Sequence, residues 1–159
     1  MKTTLRCLEC RKPVSSGVYE FSQRIYGHSL CVRDQYMIEE SGATAHTIDL
    51  YLALKEENFP VVLNYFDGHK EVDLAIPGKL HIEITDPYHE LRLQAMINLP
   101  GSVYSLGKNI PTVIIPNSML KNRRTFTHAV KELTKACNVV LGQNSLLSSA
   151  LAIQSVQLQ

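Results

Sequence analysis

Three of the four cysteines in this 159-residue chain, Cys7, Cys10 and Cys31, lie close to its start, and with His28 they spell C-x2-C-x17-H-x2-C. Two short knuckles separated by such a gap offer the four soft or borderline ligands that tetrahedral Zn²⁺ requires. In a reducing compartment this clustering favours a metal over disulfides. Asp34 is the alternative to His28 as fourth ligand, a carboxylate in place of an imidazole. Four protein ligands close the coordination sphere, so such a zinc would hold the fold and perform no catalysis. The plainer alternative leaves His28 on the surface and the cysteines incidental. Cys137 stands far from the others and reads as a small buried hydrophobe.

A second set of chemistry-bearing residues interrupts the apolar stretch "VDLAIPGKLHIEITD" at 72–86. Side chains alternate faces along a strand, so matching apolar faces fixes the register. With Asp67-Gly68 as a two-residue turn, Leu63 pairs with Val72 and Val61 with Leu74. With Pro77-Gly78-Lys79 as the next loop, Ile76 pairs with Leu80, Leu74 with Ile82 and Val72 with Ile84. That register sets Asp73 opposite Glu83, where like charges repel. A divalent cation, Mg²⁺ or Mn²⁺, with water and a phosphate oxygen completing its shell, would supply a reason for the pair. Glu71 and Thr85 are the next pair on that face, and Asp86 and His89 leave the end of the third strand. Lys70 alternates onto the apolar face and Lys79 sits in a turn, so neither is placed beside the acids. The competing reading is a solvated face whose charges water screens.

These residues need elements to position them. Residues 5–36 have no apolar run able to build a core alone, which suits a metal-stapled unit over 1–42 with a border near Gly42. From Ala45 to Asn58, Ile48, Leu50, Tyr51 and Leu54 recur at helical spacing, with Ser41 or Thr44 as cap and Pro60 as stop. Residues 61–76 alternate strictly, and "KLHIEIT" is a third strand. Helix over 89–99, strand over 112–116 and helix over 117–136, capped by Asn117 or Ser118, complete an αβββαβα order. The expected class is α/β with a mixed sheet over 43–141, followed by a weakly ordered or docked tail at 142–159. With 45% hydrophobic and 19% charged residues the chain is globular, and a net charge of +1 names no nucleic-acid or membrane partner. Neither a membrane-spanning run nor a secretory signal is evident, so a cytoplasmic location is expected.

The run from about Leu50 to Asn117 resembles the restriction-endonuclease-like superfamily, the PD-(D/E)XK nucleases, and within it the very short patch repair endonucleases and their relatives. The matching pieces are "LYLAL", "DGHKEVDLAI", "KLHIEITDPYH" and "TVIIPN". The resemblance implies a restriction-endonuclease-like core that hydrolyses DNA phosphodiester bonds, with Asp73 and Glu83 holding the metal and His89 as the histidine that follows. Relatives carry an acid where this chain has Thr85, with Asp86 next to it, and often an acid where the leading helix has Thr47, with Asp49 as a possible stand-in. The zinc unit resembles half of a LIM domain or a treble-clef finger. A nuclease-fold module that binds nucleic acid without turnover, and a zinc-finger scaffold for a protein partner, are the alternatives.

Overall fold

The computed structural model of the chain describes residues 5–85 and 110–142. The expected helix at 89–99, Asp86, His89 and all but the first residue of the expected tail lie outside them. The class is mixed α+β, as expected. Two helices absent from the expected order come first, α1 (Ser16–Tyr26) and α2 (Val32–Glu40). They are followed by α3 (Ala45–Glu56), β1 (Val62–Phe66), β2 (Glu71–Ile76), β3 (Leu80–Thr85), β4 (Thr112–Pro116), the single turn α4 (Asn117–Leu120) and α5 (Arg123–Val140). The sheet runs β1-β2-β3-β4, antiparallel except for the parallel β3–β4 pair.

Helix α3 starts where a hydroxyl can satisfy a free backbone donor: the Thr44 side chain accepts from Thr47 N, and the two hydroxyls share a 2.9 Å hydrogen bond. Leu50, Tyr51, Leu52 and Leu54 are all buried, more of the circumference than one amphipathic stripe. The reason is position: α3 packs on β1 and β2, on α4 and α5, and belongs to one buried cluster that also takes in Cys7, Leu30 and Ile38 from the first forty residues. Glu9 ties the same helix to the cysteine-bearing segment, accepting from Tyr51 Oη and pairing with Lys55 Nζ at 3.0 Å.

The expected helix over 117–136 is two helices. Asn122 is extended and its side chain accepts from Arg124 N at 2.8 Å, so a new cap interrupts the run and the second helix continues to Val140.

The β2–β3 register is as expected, with Ile76 opposite Leu80 and Leu74 opposite Ile82, and Gly78 supplies a left-handed φ of 72° in the loop. Between β1 and β2 the register differs: Leu63 faces Leu74 and Tyr65 faces Val72. The turn has slid by one residue, to Gly68-His69 at its centre. Asp67 N donates to Lys70 O, Gly68 takes φ 100°, and the Asp67 carboxylate accepts from the amides of His69 and Lys70. A one-residue slide of the turn moves the pairing by two, so the apolar faces still coincide. Strict alternation also breaks. Asn64 has φ 48°, rare for a residue other than glycine, and its side chain donates to Ser41 O. The Tyr65 ring, expected on the apolar face, stands 6.4 Å from that of His81 on the other.

Candidate metal centre and the acid face of the sheet

Cys7 and Cys10 flank a tight loop closed by Cys7 N donating to Lys12 O at 2.9 Å and Arg11 N donating to Cys7 O at 3.1 Å. Arg11 itself is left-handed, φ 59°. Cys31 is the N-cap of α2, and Asp34 lies one turn in, at the end of a helix where backbone dipoles favour negative charge. The folding of α1 onto the next loop brings Cys31 to the knuckle. Ser22 Oγ, fully buried, donates to His28 O and accepts from Leu30 N, and Leu8 N donates to Ser29 O.

Cys7, Cys10, Cys31 and Asp34 each place a ligand atom within 4.8 Å of the other three. Asp34 Oδ2 accepts from the Cys7 and Cys31 thiols, at 3.1 Å each, while Oδ1 is held by Arg33 at 3.0 Å. Cys31 N donates to Cys7 Sγ at 3.3 Å. The cluster has the donor set and closeness for a metal such as zinc: three sulfurs, one carboxylate oxygen, and outer hydrogen bonds that orient two of the ligands. Burial pushes the metal-free Cys7 thiol up to about 12 and raises Cys31 also. Burial acts on Asp34 in the same sense, but the hydrogen bonds donated by Cys7, Cys31, Cys10 and Arg33 together outweigh it and bring the carboxyl down to about 2. A bound cation reverses the logic for the thiols, because it stabilises the thiolate it displaces a proton to reach.

His28 is outside this group. It lines an open cleft of about 360 Å³ with Asp49 and Glu56 of α3 and Arg123 and Phe126 of α5. The spacing that nominated His28 also nominated Asp34. The start of α2 at Val32 distinguishes them, because one helical turn carries Asp34 back over Cys31. The stand-in acid Asp49 therefore opens into the same cleft as His28, and Thr47 is 3% exposed and engaged by Thr44.

The acids of the sheet are arranged differently. One step beyond the last paired rung, Leu74 with Ile82, antiparallel alternation sets Asp73 opposite Glu83, and Asp73 Oδ2 reaches across to accept from Ile84 N at 2.7 Å. Glu83 takes the Lys70 ammonium on Oε1. Lys70 was expected on the apolar face, but alternation stops in the turn it belongs to, and its side chain lies with the acids. Thr85 is buried at the end of β3. Its Oγ1, like His81 Nε2, is buried without a hydrogen-bond partner among the described residues. An orphaned buried polar group costs about 1–3 kcal/mol, so two of them flanking Glu83 on one face are conspicuous.

His81 was not singled out by its sequence, where it reads as one polar position in an alternating strand. The signal was there in the alternation itself, which puts residues 81, 83 and 85 on one face. Compared with protein-family models, with curated proteins and with solved structures, the chain matches none.

Proposed function

We propose that this chain is a metal-dependent endonuclease that hydrolyses DNA phosphodiester bonds, with Asp73 and Glu83 binding Mg²⁺ or Mn²⁺ and with a structural zinc in the Cys7–Cys10–Cys31–Asp34 cluster. The observation that carries the reading is the placement of two carboxylates on neighbouring strands, one rung past Leu74–Ile82, on a polar face with no folding role for their mutual repulsion. A cation bridging them would stabilise charge developing on a phosphate and acidify the attacking water. Lys70 beside Glu83 is suited to orient that water. The resemblance to the PD-(D/E)XK nucleases supports the same assignment of Asp73 and Glu83.

The test is cleavage of plasmid and branched DNA with Mg²⁺ or Mn²⁺. Wild type is expected to cut, and Glu83→Ala to lose roughly a hundredfold or more, as removal of a group stabilising transition-state charge does. Equal cutting by the variant, or none by wild type with either ion, overturns the proposal.

One observation favours a second reading, a module of this fold that binds nucleic acid without turnover. Each acid already has a partner, Ile84 N for Asp73 and Lys70 for Glu83, and Thr85 stands where a third carboxylate is expected. Binding of the same DNA without cleavage, unaffected by Glu83→Ala, would select it.

A further inference from the structure

His81 is central in the sheet, with Ala75 opposite on β2 and Thr112 on β4. Its side chain is 6% exposed, Nδ1 lies 3.9 Å from Asp67 Oδ2, and Nε2 has no partner among the described residues. Asp67 is fixed for that role by the turn: its Oδ1 accepts from His69 N at 2.7 Å and Lys70 N at 2.9 Å, which leaves Oδ2 toward the imidazole. A carboxylate behind one ring nitrogen and nothing on the other is the outer half of a carboxylate–histidine–metal arrangement. The side chain shares its face with Glu83 two residues along. It is one diagonal step from Asp73, a separation of roughly 7–8 Å between Cβ atoms that an imidazole and a carboxylate can span together through an ion.

We infer that His81 Nε2 is a third ligand of the divalent ion held by Asp73 and Glu83, with Asp67 orienting the imidazole, so that the site takes a first-row transition ion, Mn²⁺, in preference to Mg²⁺. The inference rests on the metal reading of the acid pair proposed above. Imidazole nitrogen suits first-row transition ions, whereas Mg²⁺ keeps to oxygen ligands and several waters. Thr85 Oγ1, buried on the other side of Glu83, is available to bond a water of the same shell. Nothing in the cysteine cluster competes for this role once zinc fills it, since a closed thiolate-rich site favours zinc over Mn²⁺.

The experiment uses the full, zinc-loaded chain with Mn²⁺ and reads the nitrogen coupling of the bound ion by pulsed electron paramagnetic resonance, with Mn²⁺ and Mg²⁺ affinities from calorimetry. Wild type should show a histidine nitrogen coupled to Mn²⁺, confirmed by its change on ¹⁵N-histidine labelling, which needs no substitution. H81Q should lose the coupling and about tenfold or more in Mn²⁺ affinity, with Mg²⁺ affinity little changed. If H81Q does not fold, D67N takes its place, with the coupling retained and Mn²⁺ held severalfold more weakly. Mn²⁺ that binds through Asp73 and Glu83 without nitrogen coupling, or equal affinity for the two ions, overturns the inference and leaves the nuclease proposal standing. Absence of any divalent binding that depends on D73N or E83Q removes both.

Discussion

The cysteine knuckle and the acid face of the sheet hold their polar groups in opposite ways. In the knuckle the ligand atoms converge: four lie within 4.8 Å of one another, and the thiols donate to the one carboxylate. On the sheet they are spread along two strands, each acid drawn to a different partner and two neighbouring polar atoms left with none. A convergent set is already part of the folding of its segment, because residues 5–40 have little else to order them. A dispersed set adds little to folding, which leaves its groups free for a ligand that arrives later. The difference separates a structural centre from a candidate reactive one more clearly than residue type does.

The largest expected effect is on the convergent side. Zinc removal, or Cys31→Ser, should destabilise the whole chain by several kcal/mol, since structural zinc sites in small fingers contribute roughly 10–16 kcal/mol of binding energy to folding. Because Cys7, Leu30 and Ile38 share one buried cluster with α3, thermal unfolding followed by circular dichroism should move as a single transition. Two separate transitions would show that the knuckle and the sheet are energetically independent. Next in size is the identity of the fourth ligand. Asp34→Asn should weaken zinc by about 10–100-fold or more, whereas His28→Ala should leave both stoichiometry and affinity unchanged, as read by competition with a chromophoric chelator.

A smaller effect belongs to the metal-free, reduced protein. Asp34 has its folded pKa lowered from 3.8 to about 2, so its contribution is present above the unfolded value and is lost as pH falls through the folded one. That amounts to about 2 kcal/mol. Acid unfolding monitored between those pH values should therefore flatten in Asp34→Asn. Cys7 has the opposite sign: raised from 9.0 to about 12, it loses stability for the metal-free fold as pH rises through that interval. The smallest effect is on the dispersed side. Lys70→Ala breaks an ion pair whose lysine is 56% exposed and should cost under about 1 kcal/mol in a denaturant titration. A larger loss would mean that the acid face, too, is structural.

Much of this framework was legible in the amino-acid sequence because apolar alternation and cap chemistry are local. The Thr44 cap, the pairing of Ile76 with Leu80 and the placement of Asp73 against Glu83 all follow from short-range pattern. What escaped were choices between locally equivalent options. Asp67-Gly68 and Gly68-His69 both make two-residue turns that preserve the apolar faces, and the carboxylate of Asp67 decides between them by binding two amides. His28 and Asp34 both sit near Cys31, and only the exact start of α2 separates them. The left-handed Asn64 has no marker in its neighbours, because its partner, Ser41 O, is 23 residues away. Tyr65 and Lys70 departed from their expected faces on either side of the turn that follows it.

Glu9 lies between the two cysteines of the first knuckle and, through Tyr51 and Lys55, grips successive turns of the helix on which the sheet is laid. The knuckle is in this sense a splint for α3 more than a separate module. Metal occupancy at Cys7 and Cys10 and the seating of α3 are coupled by a single intervening residue, so a change in zinc supply would be felt at the floor of the sheet before it was felt at the acids above.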